Sequence, residues 1–223
     1  MSKIIIHGGF FSESSTNIET KIAKQQALLR IVKDSYAYLQ NHSALETVVY
    51  AVSQLEDDEL FNAGIGSQIQ SDGKIRMSAS LMDGESQKMS GVINIEEVKN
   101  PIQVAQVLMQ VDDRILGGSG ATNVARKHGF EPFSTEIPQR RVEYEEKLAS
   151  LGTGTVGCVA LDNNGKIAVA TSTGGKGFEI PGRISDSATV AGNYANEFCG
   201  VSLTGVGEDI VSNATAAKIV TRV

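Results

Sequence analysis

Apolar positions are arranged differently in the two halves of this chain. From Thr20 to Leu39 they repeat at helical spacing, with Ile22, Ala27, Leu28, Ile31, Val32, Tyr36 and Leu39 recurring at three and four. A helix is predicted there, and a second from about Leu45 to Leu55 around Val48, Val49 and Val52. The acidic turn Glu56-Asp57-Asp58-Glu59 follows, then the small-residue loop Leu60 to Gly66. Ile4-Ile5-Ile6, closed by His7-Gly8-Gly9, reads as a short buried strand. Two more strands, Ile75 to Leu81 and Met89 to Ile95, flank the hairpin pair Asp83-Gly84. Pro101 opens a helix through Met109. Gly117 to Gly120 is a breaker before a short helix ending near His128-Gly129, and Arg140 to Ser150 is a charged helix.

The second half reads as strands. Val156 to Leu161 and Ile167 to Thr171 flank the turn Asp162-Asn163-Asn164-Gly165. Thr189 to Tyr194 and Gly200 to Thr204 are shorter, and a helix runs from Glu208 to about Val220. These strands show little polar alternation, so sheets covered on both faces are expected, held between layers of helix.

Length adds that 223 residues make one layered domain. The net charge of −6, with no basic run longer than Arg140-Arg141, argues against a nucleic-acid surface or an anionic membrane partner. No leader pattern or membrane span is read, and the expected location is cytoplasmic. Cys158 and Cys199 sit in apolar, strand-like contexts and read first as buried free thiols, with a disulfide or a reactive thiol as alternatives. His7, His42 and His128 lack metal spacing; His42 and His128 look like helix-terminal residues, and His7 belongs to a Gly-rich loop near a site. Gly117 to Thr122 lacks the Gly-Lys-Ser/Thr ending of a phosphate loop.

Gly152-Thr153-Gly154-Thr155-Val156-Gly157 carries the candidate chemistry. It sets a threonine between glycines at the mouth of an apolar strand. A threonine hydroxyl needs an adjacent base to act as a nucleophile, and an economical one is its own α-amine. That amine is free only if the Gly154–Thr155 bond is cut. Gly-Thr pairs at strand starts are common, so Thr155 alone is weak; its company strengthens it. Thr171-Ser172-Thr173-Gly174-Gly175 places hydroxyls and flexible backbone at one sheet edge. Arg183 and Asp186 read either as a surface salt bridge or as a clamp for a zwitterion, the guanidinium on an α-carboxylate and the carboxylate on an α-ammonium. Thr204-Gly205 offers a hydroxyl beside an unhindered N–H, the requirement of an oxyanion hole.

With these segments in view, the chain resembles the plant-type L-asparaginases, or isoaspartyl aminopeptidases, of the N-terminal-nucleophile hydrolases. The resemblance runs from Met1 to Val223. It rests on His7-Gly8-Gly9, Leu60 to Gly66, Met82-Asp83-Gly84, Gly154 to Gly157 with Val159 to Asp162, Ala170 to Gly175, Gly182-Arg183 with Asp186-Ser187, and Thr204-Gly205 with Gly207-Glu208. The match over residues 154–187 is very specific. It implies a four-layer αββα sandwich in an α+β fold, cut between Gly154 and Thr155 into an α segment (1–154) and a β segment (155–223). It implies Thr155 as nucleophile, Thr173 supporting its hydroxyl, Asn62 orienting it, Arg183 and Asp186 holding substrate, and Thr204 with the Gly205 N–H polarising the scissile carbonyl. It further implies a structural sodium ion on the carbonyls of Leu55, Glu56, Asp58, Phe61, Ala63 and Ile65, and no organic cofactor. The substrates implied are L-asparagine and β-aspartyl dipeptides, and the assembly a dimer of αβ heterodimers.

The chain departs from the family pattern in places. Ser185 stands where a Gly is usual and Ala188 where a Pro is usual, and the segment before Thr155 is short. Family chains run beyond the equivalent of Val223, so the β segment is expected to lack closing strands and a helix. Two rivals share these residues: a glycosylasparaginase of the same fold, and a dormant precursor that binds aspartyl groups without cutting itself.

Overall fold

The structure, a computed structural model, describes residues 1–9, 18–146 and 154–223. Its strands are β1 (Lys3–His7), β2 (Met77–Asp83), β3 (Met89–Ile95), β4 (Ile115–Gly117), β5 (Val156–Leu161), β6 (Ile167–Thr173), β7 (Asn193–Ala195) and β8 (Gly200–Ser202). Its helices are α1 (Ile18–Leu39), α2 (Ala44–Glu56), α3 (Pro101–Leu108), α4 (Gly118–Lys127), α5 (Pro138–Glu145), α6 (Gly207–Asn213) and α7 (Thr215–Val220). The fold is mixed α+β. Six strands form one sheet in the order β1-β5-β6-β2-β3-β4, antiparallel except for the parallel pair β3–β4, and β7–β8 form a second sheet.

Both faces of the large sheet are covered, which is why its strands show so little alternation. Val156, Cys158 and Ala160 of β5, Ala168 and Ala170 of β6, and Met77, Ala79 and Leu81 of β2 join one core with Val48, Val52 and Leu55 of α2. Met82 and Val169 point the other way, toward Ala195 of β7. The small sheet packs on that second face, and α7 packs on the small sheet. Helix α2 lies on the first face and is buried over most of its surface. A capping box starts it: Ser43 Oγ accepts from Glu46 N at 3.2 Å, and the Glu46 carboxylate accepts from Ser43 N at 2.9 Å. Pro101 opens α3 in the first turn, where its missing N–H costs nothing.

The structure changes several sequence expectations. Gly118 to Gly120 form the first turn of α4 rather than a breaker ahead of it, and the three-residue β4 carried no periodicity to reveal it. The strand expected from Thr189 begins only at Asn193; the preceding residues leave a 3₁₀ turn at Asp186–Ala188 whose carbonyl at 186 accepts the Thr189 N–H at 2.9 Å. The C-terminal helix is two helices, because Ala214 turns left-handed at φ 47°. Helix α5 ends at Glu145, and residues 147–150 of the expected charged helix lie outside the described residues, as do Gly152 and Thr153. Both cysteines are free, but only Cys158 is buried; Cys199 is half-buried. Among the described residues no helix is long and apolar enough to cross a membrane.

Candidate active site

Thr155 lies one residue before β5 and is 6 % exposed. The β5–β6 register pairs Val156 with Ser172, so Thr155 continues the ladder opposite Thr173. By strand alternation both side chains leave the α2 face and enter the layer between the two sheets. There the Thr155 hydroxyl meets the Ser187 hydroxyl at 3.3 Å. Thr173 is buried, and its Oγ1 accepts the Gly175 N–H at 3.2 Å.

The residue before the nucleophile is tightly held. A Cβ at Gly154 would fall 2.9 Å from Asn62 Cβ, and one at Gly9 would fall 2.6 Å from Gly154 Cα. Gly154 is therefore wedged between Asn62 and the left-handed Gly9 (φ 110°). Asn62 donates through Nδ2 to Gly175 O at 2.5 Å and accepts the Gln68 N–H at 2.9 Å. Its backbone carbonyl accepts the Gly174 N–H at 2.8 Å, tying this loop to the end of β6.

A second group of charges surrounds the 3₁₀ turn. Arg183 turns its Nε and Nη2 edge to Glu208, at 2.7 and 3.1 Å. That pairing lowers the Glu208 carboxyl to about 2. Asp186 is 3 % exposed, and its Oδ2 has no hydrogen-bond partner among the described residues. Burial pushes its carboxyl up to about 6, against the pull of Arg183. A Cβ at Gly207 would lie 2.9 Å from both Arg183 Nη2 and Asp186 Oδ1, so the turn carrying Thr204 and Gly205 runs beside this pair. Thr204 and Gly205 are half-buried, just beyond β8.

Two further buried networks lie around the nucleophile. His7 Nε2 meets Ser202 Oγ at 2.8 Å, Ser202 Oγ meets Thr171 Oγ1 at 2.7 Å, and Thr171 donates to Asn193 Oδ1 at 2.9 Å. A Cβ at Gly157 would fall 1.9 Å from Ser202 Oγ and 2.4 Å from His7 Nε2, so only glycine leaves room for that bond. Burial lowers His7 to about 4, opposed by the Thr155 backbone, and keeps the ring neutral. On the opposite face Glu56 is fully buried; its Oε1 accepts from Ser172 Oγ at 2.6 Å and from Ile102 N at 3.1 Å. Burial raises this carboxyl to about 8.

Among the described residues no cluster of His, Cys, Asp or Glu could hold a metal. The loop after α2 offers carbonyls instead. Gly64 (φ 54°) and Gly66 (φ 89°) fold it back so tightly that a Cβ at 64 would lie 2.3 Å from Glu56 O, and one at 66 would lie 2.6 Å from Glu59 O and 2.9 Å from Phe61 O. Leu55 at the end of α2 and Phe61 and Ala63 in this loop are buried, the Glu56 carbonyl also accepts the Ile65 N–H at 2.7 Å, and the Asp58 carbonyl accepts the Phe61 N–H at 3.1 Å.

The profile of the asparaginase family matches residues 1–149 and 133–223, which together span the chain. The chain belongs to the asparaginase family. Relatives within the family include an isoaspartyl peptidase/L-asparaginase of Synechocystis, 48% identical over 99% of this chain and 72% of its own length. A protein of the same name from Nostoc is 45% identical over 99% of this chain and 76% of its own. The isoaspartyl peptidase of Escherichia coli is 36% identical over 97% and 75%.

Within this family chain the structure gathers Thr155, Thr173, Gly154 and Asn62 at one end of the β5–β6 pair, and Arg183, Asp186 and the turn after β8 beside the 3₁₀ helix. Sequence reading missed four contributors. Ser187 adjoins Asp186 and Glu208 follows Gly207, so both lay inside recognised segments. The His7–Ser202 bond joins residues 195 apart in the chain. The buried side chain of Glu56 hid within the acidic turn Glu56-Asp57-Asp58-Glu59.

Proposed function

We propose that this chain is a threonine amidohydrolase that cuts itself before Thr155, hydrolyses L-asparagine to L-aspartate and ammonia, and cleaves β-aspartyl dipeptides. The observation that carries this reading is the buried Thr155 hydroxyl, directly after a Gly154 wedged between Gly9 and Asn62 and 3.3 Å from the hydroxyl of Ser187, the chain neighbour of Asp186. After the cut, the Thr155 α-amine is the base. Its reference pKa of about 7.7–8.0 suits proton abstraction at neutral pH. Asp186 takes the substrate α-ammonium, which supplies the partner its buried Oδ2 lacks. Arg183, anchored by Glu208, takes the α-carboxylate. Thr204 and the Gly205 N–H hold the oxyanion, and Thr173 and Asn62 support the nucleophile.

In the same reading the α2/α3 layer, the two packed sheets and α7 are an αββα sandwich, with 1–154 as the α segment and 155–223 as the β segment. The carbonyls of Leu55, Glu56, Asp58, Phe61, Ala63 and Ile65 would hold a sodium ion, for which the hard oxygens of a tight loop folded on Gly64 and Gly66 are suited. Exposed apolar side chains on the β segment, such as Ile180, Phe198 and Val206, favour association, and we take the assembly to be a dimer of αβ heterodimers.

A denaturing gel with N-terminal sequencing tests the reading. Purified protein is expected to give two bands, the smaller beginning at Thr155, and to release ammonia from L-asparagine. Thr155→Ala is expected to remain one inactive chain. A wild-type protein that stays whole and inactive, or a Thr155→Ala chain that still cuts at this bond, defeats it.

A further inference from the structure

While the chain is whole, the nitrogen of Thr155 is an amide and cannot act as a base. Self-cleavage therefore needs another group to accept the hydrogen bond of the attacking hydroxyl. The structure presents one: Ser187 Oγ, fully buried, at 3.3 Å from Thr155 Oγ1. That separation is long for two hydroxyls, and contacts of this kind tighten as a reaction begins.

Ser187 is fixed from several sides. Its carbonyl accepts from Ser80 Oγ of β2 at 2.6 Å, and its N–H donates to Ser185 Oγ at 3.3 Å. The turn that carries it is closed by the Thr189 N–H and hydroxyl, both donating to Asp186 O, at 2.9 and 2.7 Å. A neutral hydroxyl also avoids placing a second charge in this buried layer beside Asp186.

We infer that Ser187 is a catalytic residue of the self-cleavage step, accepting the hydrogen bond of Thr155 in the uncut chain. This rests on the reading of Thr155 as the nucleophile. Thr155 O–H points at Ser187 Oγ, which turns a lone pair of Thr155 Oγ toward the Gly154 carbonyl carbon. The Oγ–C bond forms, the Gly154–Thr155 C–N bond breaks, and the hydroxyl proton ends on the departing nitrogen. An amide and an alcohol become an ester and an amine, and water then hydrolyses the ester to free Gly154 and Thr155. Once the α-amine exists it takes over as base, so Ser187 matters more to cleavage than to substrate turnover.

The test is a cleavage time course of Ser187→Ala and Ser187→Cys beside wild type, with turnover on L-asparagine measured on the cleaved fraction. Cleavage of Ser187→Ala is expected to slow by about ten- to a hundredfold, and turnover per cleaved molecule by a clearly smaller factor. Hydroxylamine attacks the ester but not the amide, so it is expected to leave the slow variant slow. Melting curves report folding, and if Ser187→Ala does not fold, Ser187→Cys, which keeps the volume but hydrogen-bonds weakly, is read in its place. Cleavage at the wild-type rate in the folded variant overturns the inference. So does an equal loss in cleavage and turnover, or full rescue by hydroxylamine. A wild-type chain that never cuts defeats the reading of Thr155 instead, and is told apart by the wild-type lane.

Discussion

Replacing Asp186 by Asn should stabilise the fold at neutral pH while weakening the site. Burial raises the Asp186 carboxyl from 3.8 to about 6, and its Oδ2 has no partner among the described residues. A carboxyl raised by folding favours the protonated folded state. It therefore adds almost nothing below about pH 3.8, where both states are protonated, and its opposition to folding grows as pH rises from there and is complete above about pH 6. One decade in proton affinity is about 1.4 kcal/mol, so the opposition amounts to about 3 kcal/mol at pH 8 and falls below about 1 kcal/mol at pH 4. An amide removes the charge but brings an NH2 group that costs about 1–3 kcal/mol if it is unpaired. That offset is independent of pH and cancels when two pH values are compared. The quantity to measure is the stability of Asp186→Asn minus that of the parent, both in a Thr155→Ala background so that every molecule is one chain. Urea unfolding at pH 8 and pH 4 should show this difference larger at pH 8 by about 2–3 kcal/mol. In calorimetry that equals roughly 5–10 °C in relative melting temperature for a chain of this size. A difference that does not change with pH, or grows toward pH 4, refutes the argument. The same change in an otherwise wild-type enzyme should raise KM for L-asparagine, because the substrate ammonium loses its carboxylate.

Two further predictions follow from the site. Thr204→Ala should lose on the order of 10²–10³ in kcat on the cleaved fraction while KM moves little, since an oxyanion donor matters mainly in the transition state; a near wild-type kcat would place the oxyanion hole elsewhere. Arg183→Lys should raise KM about tenfold or more with a smaller change in kcat, because a point charge cannot bond Glu208 along one edge and a carboxylate along another; unchanged KM in steady-state assays would remove Arg183 from substrate binding.

Much of the architecture was legible in the residue pattern because its elements have strong periods or strong punctuation. The helices near Thr20 and Leu45, the Asp83-Gly84 hairpin and the paired strands after Thr155 all appear within a few residues of their expected bounds. What escaped was set by tertiary contact. Strand β4 is three residues long and exists because it pairs with β3. The break at Ala214 has no Gly or Pro to announce it. Among the site residues, Thr155, Arg183 and Asp186 drew notice through type and spacing. Ser187 did not, because its role depends on a distance across the interlayer space. Glu56 did not either, since nothing in an acidic run says which carboxylate faces Ser172.

The strand order carries a consequence for the life of the molecule. Strands β5 and β6 follow Thr155 in the chain, yet they lie inside the large sheet, with β1 bonded to one side and β2 to the other. A cut before Thr155 would leave two polymers woven through a single sheet, each bonded to the other along two edges. They could part only by dismantling that sheet. The intact chain finds its shape by a unimolecular search, but the cut pieces, once melted, would have to meet again in solution, so recovery would depend on their concentration. Heating and cooling should then trace different curves for cut protein and the same curve for uncut protein. Maturation in this topology is a ratchet: the shape is assembled while the chain is continuous, and afterwards it is held by memory in the sheet rather than by the covalent thread.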